Sequence, residues 1–155
     1  MTGPNPTDRG KLGTKRHVLT DKKGIPLSVV ITSANTHDMK AAIKTIDGIL
    51  VKRRRISSSQ KQKLCLDKGY DFQEIEHESI KRYYIPHIRQ RGEDSSLIKN
   101  NDGFHVSRRW VVERTNSWHN RFRKLFVRYE KKAENYLGLV QLACCIIVSR
   151  RINLG

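Results

Sequence analysis

The stretch from residue 63 to 88 alternates between strand and helix patterns, and this alternation constrains the fold more than any other feature of the sequence. "KLCLD" at 63–67 is a short apolar run ending in an acid, which is typical of a buried strand. "FQEIEHESIKRY" at 72–83 has the spacing of an amphipathic helix, and "YYIPHI" at 83–88 predicts a second strand in which Pro86 favours an edge or an end. This order of elements predicts an α/β fold with some parallel pairing.

The flanking regions predict a hairpin and three further helices. "TKRHVLT" and "PLSVVIT" surround "DKKG", a turn with glycine at its end, so residues 14–32 read as a β-hairpin. The predicted helices cover residues 34–55, where Asn35 or Thr36 can cap the start, and residues 105–128 and 134–151. No repeat or second domain is visible, and we expect one domain over residues 1–155.

The charge of the chain indicates its class of partner. Lys and Arg number 31 against 15 Asp and Glu, which gives a net charge of +16 that no single tail carries. Such an excess most often serves a polyanion, so nucleic acid is preferred over an acidic membrane surface or a protein partner. A basic RNA-binding or ribosome-associated protein is an alternative on charge alone.

The cysteines and the apolar segments indicate a cytoplasmic protein without a membrane anchor. Cys65, Cys144 and Cys145 lack the spacing of a zinc site, so we expect buried free thiols in a reducing compartment. No targeting segment begins the chain. The longest apolar stretch, residues 136–148, is too short to span a bilayer and is followed by two arginines, so it predicts a core helix.

Glu113 lies in the basic stretch "RRWVVERTNSWHNRFRKL" at 108–125, which reads as one helix. An apolar stripe at steps of four and three predicts the face that packs against the core: Val111, Thr115, Trp118, Phe122 and Leu125. Glu113 is two residues from this stripe, about 200° around the helix, so it faces outward with Arg109. Its carboxylate either forms a salt bridge with Arg109 or binds a ligand.

Asp67 is the second acid of interest because it directly follows a predicted strand. The carboxyl edge of a sheet is where α/β proteins place ligand groups, and Gly69 permits a sharp turn behind Asp67. Asp67 could instead cap the next helix, but Asp71 is better placed to do so. Carboxylates bind Mg²⁺, and two such ions about 3.5 to 4 Å apart can activate a water or a 3′-hydroxyl for phosphodiester chemistry.

Two further groups of residues are secondary candidates. In "NTHD" at 35–38, His37 and Asp38 form a helix cap or lie near the same cleft as Asp67. Aromatic side chains alternate with arginines from residue 108 onward, and such rings can stack on unpaired bases. Because Trp118 and Phe122 already belong to the apolar stripe, Trp110 is the predicted base contact.

Four blocks of the sequence resemble, in order, the DDE transposases of bacterial insertion sequences. They are "GPNPTDRGKLGTKRH", "PLSVVITSANTHD", "LDKGYD" and "WVVERTNSWHNRFRKLFVRYEK", and the resemblance runs from residue 3 to about residue 151. It implies an RNase H-like mixed sheet flanked by helices. It also implies three acids that hold two Mg²⁺ ions, or Mn²⁺ in their place, to cut and join double-stranded DNA at transposon ends.

Carried over by position, the resemblance assigns roles to individual residues. Asp67 matches the family's second Asp and Glu113 its Glu, so both are expected to be catalytic metal ligands. Arg109 fits the Arg-x3-Glu part of a related signature, while Val106 and Asn120 stand where that signature has Tyr and Lys. The residues expected to contact DNA are Arg109, Arg114, Arg121, Lys124, Trp110 and Lys15.

The resemblance also identifies a missing part. The family's first catalytic Asp lies in an Asp-Gly-Ser/Thr strand upstream of the "GPNPTDRG" block, whereas "DGI" at 47 and "DGF" at 102 stand in other contexts. We therefore expect a partial catalytic domain, the C-terminal portion of a transposase, that lacks the first central strand of the sheet. A frameshifted fusion to an upstream part would be active, whereas a decayed remnant would not.

Two hypotheses follow for this chain in the bacterial cytoplasm, at the nucleoid and away from membranes. In the first it is part of an enzyme that moves DNA and requires the upstream Asp. In the second it is a catalytically inactive DNA-binding fragment that competes with intact transposase. Homo-oligomers, or mixed oligomers with the full-length protein, are compatible with both.

Overall fold

The computed structural model describes residues 2–51, 59, 61–88 and 109–153. The described residues fall into two compact units. The hairpin unit contains those of 1–51 and 111–155, and the βαβ unit contains those of 52–110. In chain order the elements are β1 (Gly3–Pro4), β2 (Leu12–Thr20), β3 (Pro26–Ser33), α1 (Met39–Asp47), β4 (Gln62–Leu66), a 3₁₀ turn (Lys68–Tyr70), α2 (Gln73–Lys81), β5 (Tyr84–Ile88), α3 (Arg109–Asn120), α4 (Arg123–Phe126) and α5 (Ala133–Asn153).

The predicted hairpin is confirmed and forms the centre of the hairpin unit. β2 and β3 pair antiparallel, and β1 adds a short third strand beside β2. In the connecting turn, Asp21 Oδ1 accepts hydrogen bonds from the backbone N–H groups of Lys23 and Ile25, each at 2.8 Å. Gly24 has a φ of +79°, which a residue without a Cβ adopts at little cost. The turn is therefore ordered by its own residues.

Helices cover both faces of this sheet. Val29 and Ile31 of β3 belong to the apolar core that α5 shares, with Tyr136, Val140 and Ala143 on the helix side. Ser28 lies on the alternate face, close to Gly48 at the end of α1, because successive strand residues point to opposite sides. The buried residues of α1 recur at helical spacing: Ala41, Ala42, Thr45 and Ile46.

The single helix predicted from 105 to 128 is wrong within the described part of the chain, where α3 ends at Asn120 and α4 begins at Arg123. Phe122 between them has extended backbone angles, φ −87° and ψ 107°. The break lets Leu125 enter the core, with Phe122 packed against it. The predicted stripe is confirmed, since Val111, Thr115 and Leu125 are buried and the other two members are partly buried.

The βαβ unit has the predicted order of elements. β4 and β5 pair in parallel, from Gln62 opposite Tyr84 to Leu66 opposite Ile88, and α2 packs against β5. Its buried residues include Leu64, Ile75 and Tyr84. Mixed sheets and helices confirm the α/β class. The joining of the two sheets into one RNase H-like sheet stays a prediction.

Several local predictions are corrected by the structure. α1 covers Met39–Asp47 rather than 34–55, and Leu50 beyond it is 90% exposed. The N-cap of α1 is Asp38, not Asn35 or Thr36, and that of α2 is Phe72, not Asp71. The thiols are free, but Cys65 and Cys145 are exposed rather than buried. Part of the first predicted helix, residues 52–55, lies outside the described residues.

α5 is longer than the apolar stretch suggested. Over Ala133–Ile152 it is long and apolar enough to cross a membrane by length and composition alone, with 22% of its most apolar window buried inside the structure. The core helix of a soluble protein passes the same test. Here Tyr136, Val140, Ala143 and Ile147 are buried at helical spacing, so one face of α5 lies in the core as predicted for a core helix, and the structure shows that it packs against the sheet.

Candidate active site

Asp67 occupies the first position after β4, at the carboxyl edge of the parallel pair. Its side chain is exposed, and its backbone carbonyl accepts a hydrogen bond from the Tyr70 N–H at 2.9 Å, which closes the 3₁₀ turn behind it. The buried strand residue Leu64 and the buried helix residue Ile75 hold the strand and α2 in the core of this unit. A carboxylate is thus presented to solvent from a packed strand end, as the sequence pattern predicts.

Glu113 is exposed on α3, two residues from the buried side chains of Val111 and Thr115 on either side. The helix is docked on the hairpin turn by two side chains next to Glu113. The Thr115 hydroxyl donates to the Gly24 carbonyl at 2.6 Å, and the Arg114 guanidinium donates to the Lys23 carbonyl. These contacts set the rotation of α3 about its axis, which turns Glu113 away from the core.

The carboxylates have the chemistry that a hard divalent cation requires, because exposed Asp and Glu oxygens are the ligands of Mg²⁺ and Mn²⁺. Asp67 belongs to the βαβ unit and Glu113 to the hairpin unit. Within either unit, the described residues contain no cluster of three His, Cys, Asp or Glu side chains that could hold a metal ion.

The residues predicted to contact DNA differ in whether their side chains already bind other groups of the protein. Lys15 Nζ donates to Asp38 Oδ1 at 2.9 Å and to the Thr36 carbonyl at 3.0 Å, so it joins β2 to the loop before α1. Arg114 holds the hairpin turn and lies 5.2 Å from the Trp118 ring centroid. Arg121 and Lys124 are exposed.

The remaining two predicted contacts lie at the start of α3. The helix begins at Arg109, whose side chain is outside the described residues. The side chain of Trp110 is 50% exposed. Of the secondary candidates, Asp38 pairs with Lys15 as described, and His37 Nδ1 lies 3.4 Å from the Met39 N–H, so both residues act in the turn that precedes α1.

A buried polar cluster in the hairpin unit was missed by the sequence analysis. His119 of α3 is fully buried, and its Nε2 lies 3.3 Å from Cys144 Sγ of α5. Arg16 of β2 donates to Asn120 Oδ1 at 2.9 Å. Burial lowers the pKa of His119 to about 4, helped by the charge of Arg16, and burial raises the pKa of the Cys144 thiol to about 11. The sequence signal for the burial of His119 is its spacing, since it follows Thr115 of the apolar stripe by four residues and so lies on the same face of the helix.

Tyr129 was also passed over. It lies between α4 and α5 and is 77% exposed, more than Trp110. The sequence offered one signal: Tyr129 falls after the apolar stripe ends at Leu125, so no core position accounts for its ring.

Comparison with known proteins agrees with the resemblance. Residues 2–148 match the family described as "Transposase DDE domain". The chain is 36% identical over 150 residues to a Burkholderia cepacia protein described as "Putative transposase for insertion sequence element IS402". That alignment covers 94% of this chain and 67% of the relative. No solved structure matches the chain. With a family match over almost its whole length, the chain belongs to the DDE transposases of bacterial insertion sequences.

Proposed function

We propose that this chain contributes Asp67 and Glu113 as metal ligands to the cutting and joining of double-stranded DNA at transposon ends. The observation that carries the proposal is the position of the two acids in a chain matched to this family over residues 2–148. Asp67 ends a parallel strand, and Glu113 faces outward from a helix fixed to the hairpin turn by Thr115 and Arg114. Both carboxylates are exposed.

Transposases of this family generally use divalent metal ions. Bound Mg²⁺ or Mn²⁺ would supply an activated water or 3′-hydroxyl and would stabilise the leaving oxygen of the phosphodiester. Asp67 and Glu113 would hold these ions through their carboxylate oxygens. We propose that the third acid, the family's first Asp, comes from a segment outside these 155 residues, on the central strand of an RNase H-like sheet.

The exposed cations hold the substrate in this proposal. Arg121 and Lys124 are exposed on the hairpin unit and are suited to contact backbone phosphates of DNA. Lys15 and Arg114 have a different task, since their contacts with Asp38 and the Lys23 carbonyl hold the protein together. Arg109 and Trp110 at the start of α3 stay predicted DNA contacts.

Metal binding and DNA cleavage by the complete transposase test this assignment. We expect Asp67→Asn or Glu113→Gln to lower the cleavage rate more than about 100-fold, because losing even a residue that only orients a metal ligand costs 10- to 100-fold. Each variant should also weaken Mn²⁺ binding measured by electron paramagnetic resonance. Asp71→Asn and Glu134→Gln are the matched controls, from the same loop and from another exposed helix position. Cleavage retained in Asp67→Asn would refute the proposal.

The second candidate is an inactive DNA-binding fragment that competes with intact transposase. The observation that favours it is the net charge of +16, with exposed cations such as Arg121 and Lys124 on the hairpin unit. This candidate predicts that the 155-residue chain binds transposon-end DNA, slows cleavage by the complete enzyme, and cuts nothing when Mg²⁺ is added. Mg²⁺-dependent cutting by the isolated chain would exclude it.

A further inference from the structure

A groove on the hairpin unit is lined by a tyrosine, a lysine, an amide and apolar side chains, and neither Asp67 nor Glu113 is among its lining residues. Its volume is about 620 Å³, which is within the usual range of small-molecule pockets. It runs between the α4–α5 connection and the outward face of α5. The lining residues used below are Lys124, Tyr129, Asn135, Gly138, Leu139 and Leu142. We call it the Tyr129 groove.

The backbone around the exposed Tyr129 is held in place by the side chain of Arg128. Arg128 Nε donates to the Glu130 carbonyl at 2.8 Å, and its Nη2 donates to the Lys131 carbonyl at 3.1 Å. Arg128 also donates to the Thr14 hydroxyl of β2 and lies 4.9 Å from the Tyr136 ring centroid. The segment is thus attached to both the sheet and α5. Tyr129 is 77% exposed, and on so ordered a segment its ring is arranged in advance for contact with a partner.

The charge around the groove selects the class of partner. Residues 121–132 contain six cations, Arg121, Arg123, Lys124, Arg128, Lys131 and Lys132, and one acid, Glu130. That acid also lines the groove, but its Oε1 accepts a hydrogen bond from the Lys132 N–H at 3.1 Å, at the start of α5. This balance favours a polyanion over an apolar peptide or a second copy of the same basic surface.

The other lining groups match the parts of a nucleotide. Leu142 is exposed and Leu139 partly buried, and both contribute apolar surface to the lining of the groove. Asn135 is exposed and carries an amide that can pair with a base edge. Gly138 leaves empty space in the groove, because a Cβ at this position would have no atom within 4 Å. Lys124 supplies a cation for the phosphate.

We propose that the Tyr129 groove binds an unpaired nucleotide of DNA, with its base stacked on Tyr129 and its phosphate beside Lys124. The proposal rests on the proposed function only in taking DNA as the substrate. A base inside a duplex has both faces covered by its neighbours, so an exposed protein ring stacks most readily on a base that has left the helix. Strand cutting provides such bases, because a base pair beside a cut end opens at low cost.

The test compares two DNA ligands that differ by one base. Fluorescence anisotropy of the 155-residue chain is measured with a blunt duplex and with the same duplex carrying a single unpaired 2-aminopurine at its end. We expect about 10-fold tighter binding of the second DNA, within the range for stacking one base on an aromatic side chain. Stacking should also quench the 2-aminopurine fluorescence.

Four variants separate the groove from the rest of the surface. Tyr129→Ala should abolish the preference and the quenching, whereas Tyr129→Phe keeps the ring and should retain both. Gly138→Leu adds a side chain at a position where a Cβ meets no atom within 4 Å, and by occupying the groove it should abolish both. Ser149→Leu, on the same face of α5 but 11 residues away, about 16 Å along the helix, should behave as wild type.

The outcomes distinguish this inference from the proposed function. Equal preference for the unpaired base in wild type and Tyr129→Ala, with blunt duplex still bound, would overturn the groove and leave the transposase assignment intact. Failure of the chain to bind either DNA would also overturn the groove, whereas the proposed function is tested separately by Asp67→Asn in the complete transposase. A change of oligomeric state in Gly138→Leu, seen by sedimentation without any change in base preference, would make the groove an interface between copies and overturn the inference. Circular dichroism confirms that each variant is folded.

Discussion

His119 is a buried ionisable side chain whose neutral form the fold requires. Its ring has no exposed surface, lies next to Cys144, and has the guanidinium of Arg16 close by. Its Nδ1 has no hydrogen-bond partner among the described residues. Burial and the positive charge both oppose a proton on this ring, and they lower its pKa to about 4 from an ordinary value near 6.5.

This pKa predicts how stability depends on pH. Between pH 6.5 and 4 the unfolded chain takes up a proton at His119 and the folded chain does not, so the free energy of unfolding falls as the pH falls. The contribution of the neutral His119 ring to the free energy of unfolding is complete above pH 6.5, and about 3 kcal/mol of this contribution is lost by pH 4. Urea denaturation at several pH values measures the effect.

Two variants isolate His119 in that measurement. His119→Leu should flatten the decline, leaving the smaller part due to His17, whose pKa burial also lowers. His77→Leu, at an exposed position on α2, should keep the full decline. An unchanged pH dependence in His119→Leu would show that another group is responsible.

At the scale of elements, the docking of α3 on the hairpin turn depends on one hydroxyl. Thr115 is fully buried, and its hydroxyl lies 2.6 Å from the Gly24 carbonyl and 3.1 Å from the Val111 carbonyl of its own helix. Gly24 approaches so closely that a Cβ there would lie 3.1 Å from the Thr115 hydroxyl oxygen. This contact joins residues 91 positions apart in the sequence.

Thr115→Val tests that contact with almost no change of shape. We expect a loss of about 1 to 3 kcal/mol in the free energy of unfolding, because the buried Gly24 carbonyl loses its donor. Thr115→Ser keeps the hydroxyl and is the control, with a smaller loss from the missing methyl group. Equal denaturation midpoints for Thr115→Val and wild type would contradict this account of α3 docking.

The elements that could be predicted from the sequence are those whose signal is local. The hairpin was visible from the polar turn between β-rich segments, and the βαβ order from apolar runs around an amphipathic helix. Helix ends were not predictable, because within the described chain neither Asp38 nor Phe72 makes a side-chain capping hydrogen bond. The break at Phe122 was missed because it satisfies packing against α5, which no local pattern contains.

The candidate site was predicted unevenly for a related reason. The exposure of Asp67 was predicted from its position at a strand end and that of Glu113 from the helical period, and both residues are exposed in the structure. The hydrogen bond between Lys15 and Asp38 joins residues 23 positions apart, so the sequence did not show that this lysine also has a partner within the protein. Tyr129 lies beyond the apolar stripe that ends at Leu125, so the sequence did contain a signal for its exposure, and this signal was overlooked among the aromatic residues.

At the scale of the whole molecule, the charge of +16 combines cations used within the protein and cations presented to solvent. The affinity for duplex DNA should fall steeply with salt, since each neutralised phosphate contributes a slope of about −0.9 in a plot of log affinity against log salt. We expect Arg121→Gln and Lys124→Gln each to reduce the slope by about one such unit. Titrations between about 50 and 200 mM salt measure this slope.

Lys15→Gln is the control for those titrations. Because Lys15 is paired with Asp38 and the Thr36 carbonyl, its loss should leave the slope unchanged. A slope reduced as much by Lys15→Gln as by Lys124→Gln would mean that net charge, and not the exposed cations, determines binding.

The composition of the hairpin unit, from two separate stretches of the chain, has a consequence for protein synthesis. The hairpin leaves the ribosome while α3 and α5 are still untranslated. Residues 52–110 separate the first stretch of the unit, which contains the hairpin, from the second stretch, which contains both helices. At the usual speed of about 5 to 20 residues per second, synthesis of residues 34–132, which separate β3 from α5, takes about 5 to 20 s. Throughout it, Val29 and Ile31 have no helix to cover them. The nascent hairpin is therefore a natural client for ribosome-associated chaperones.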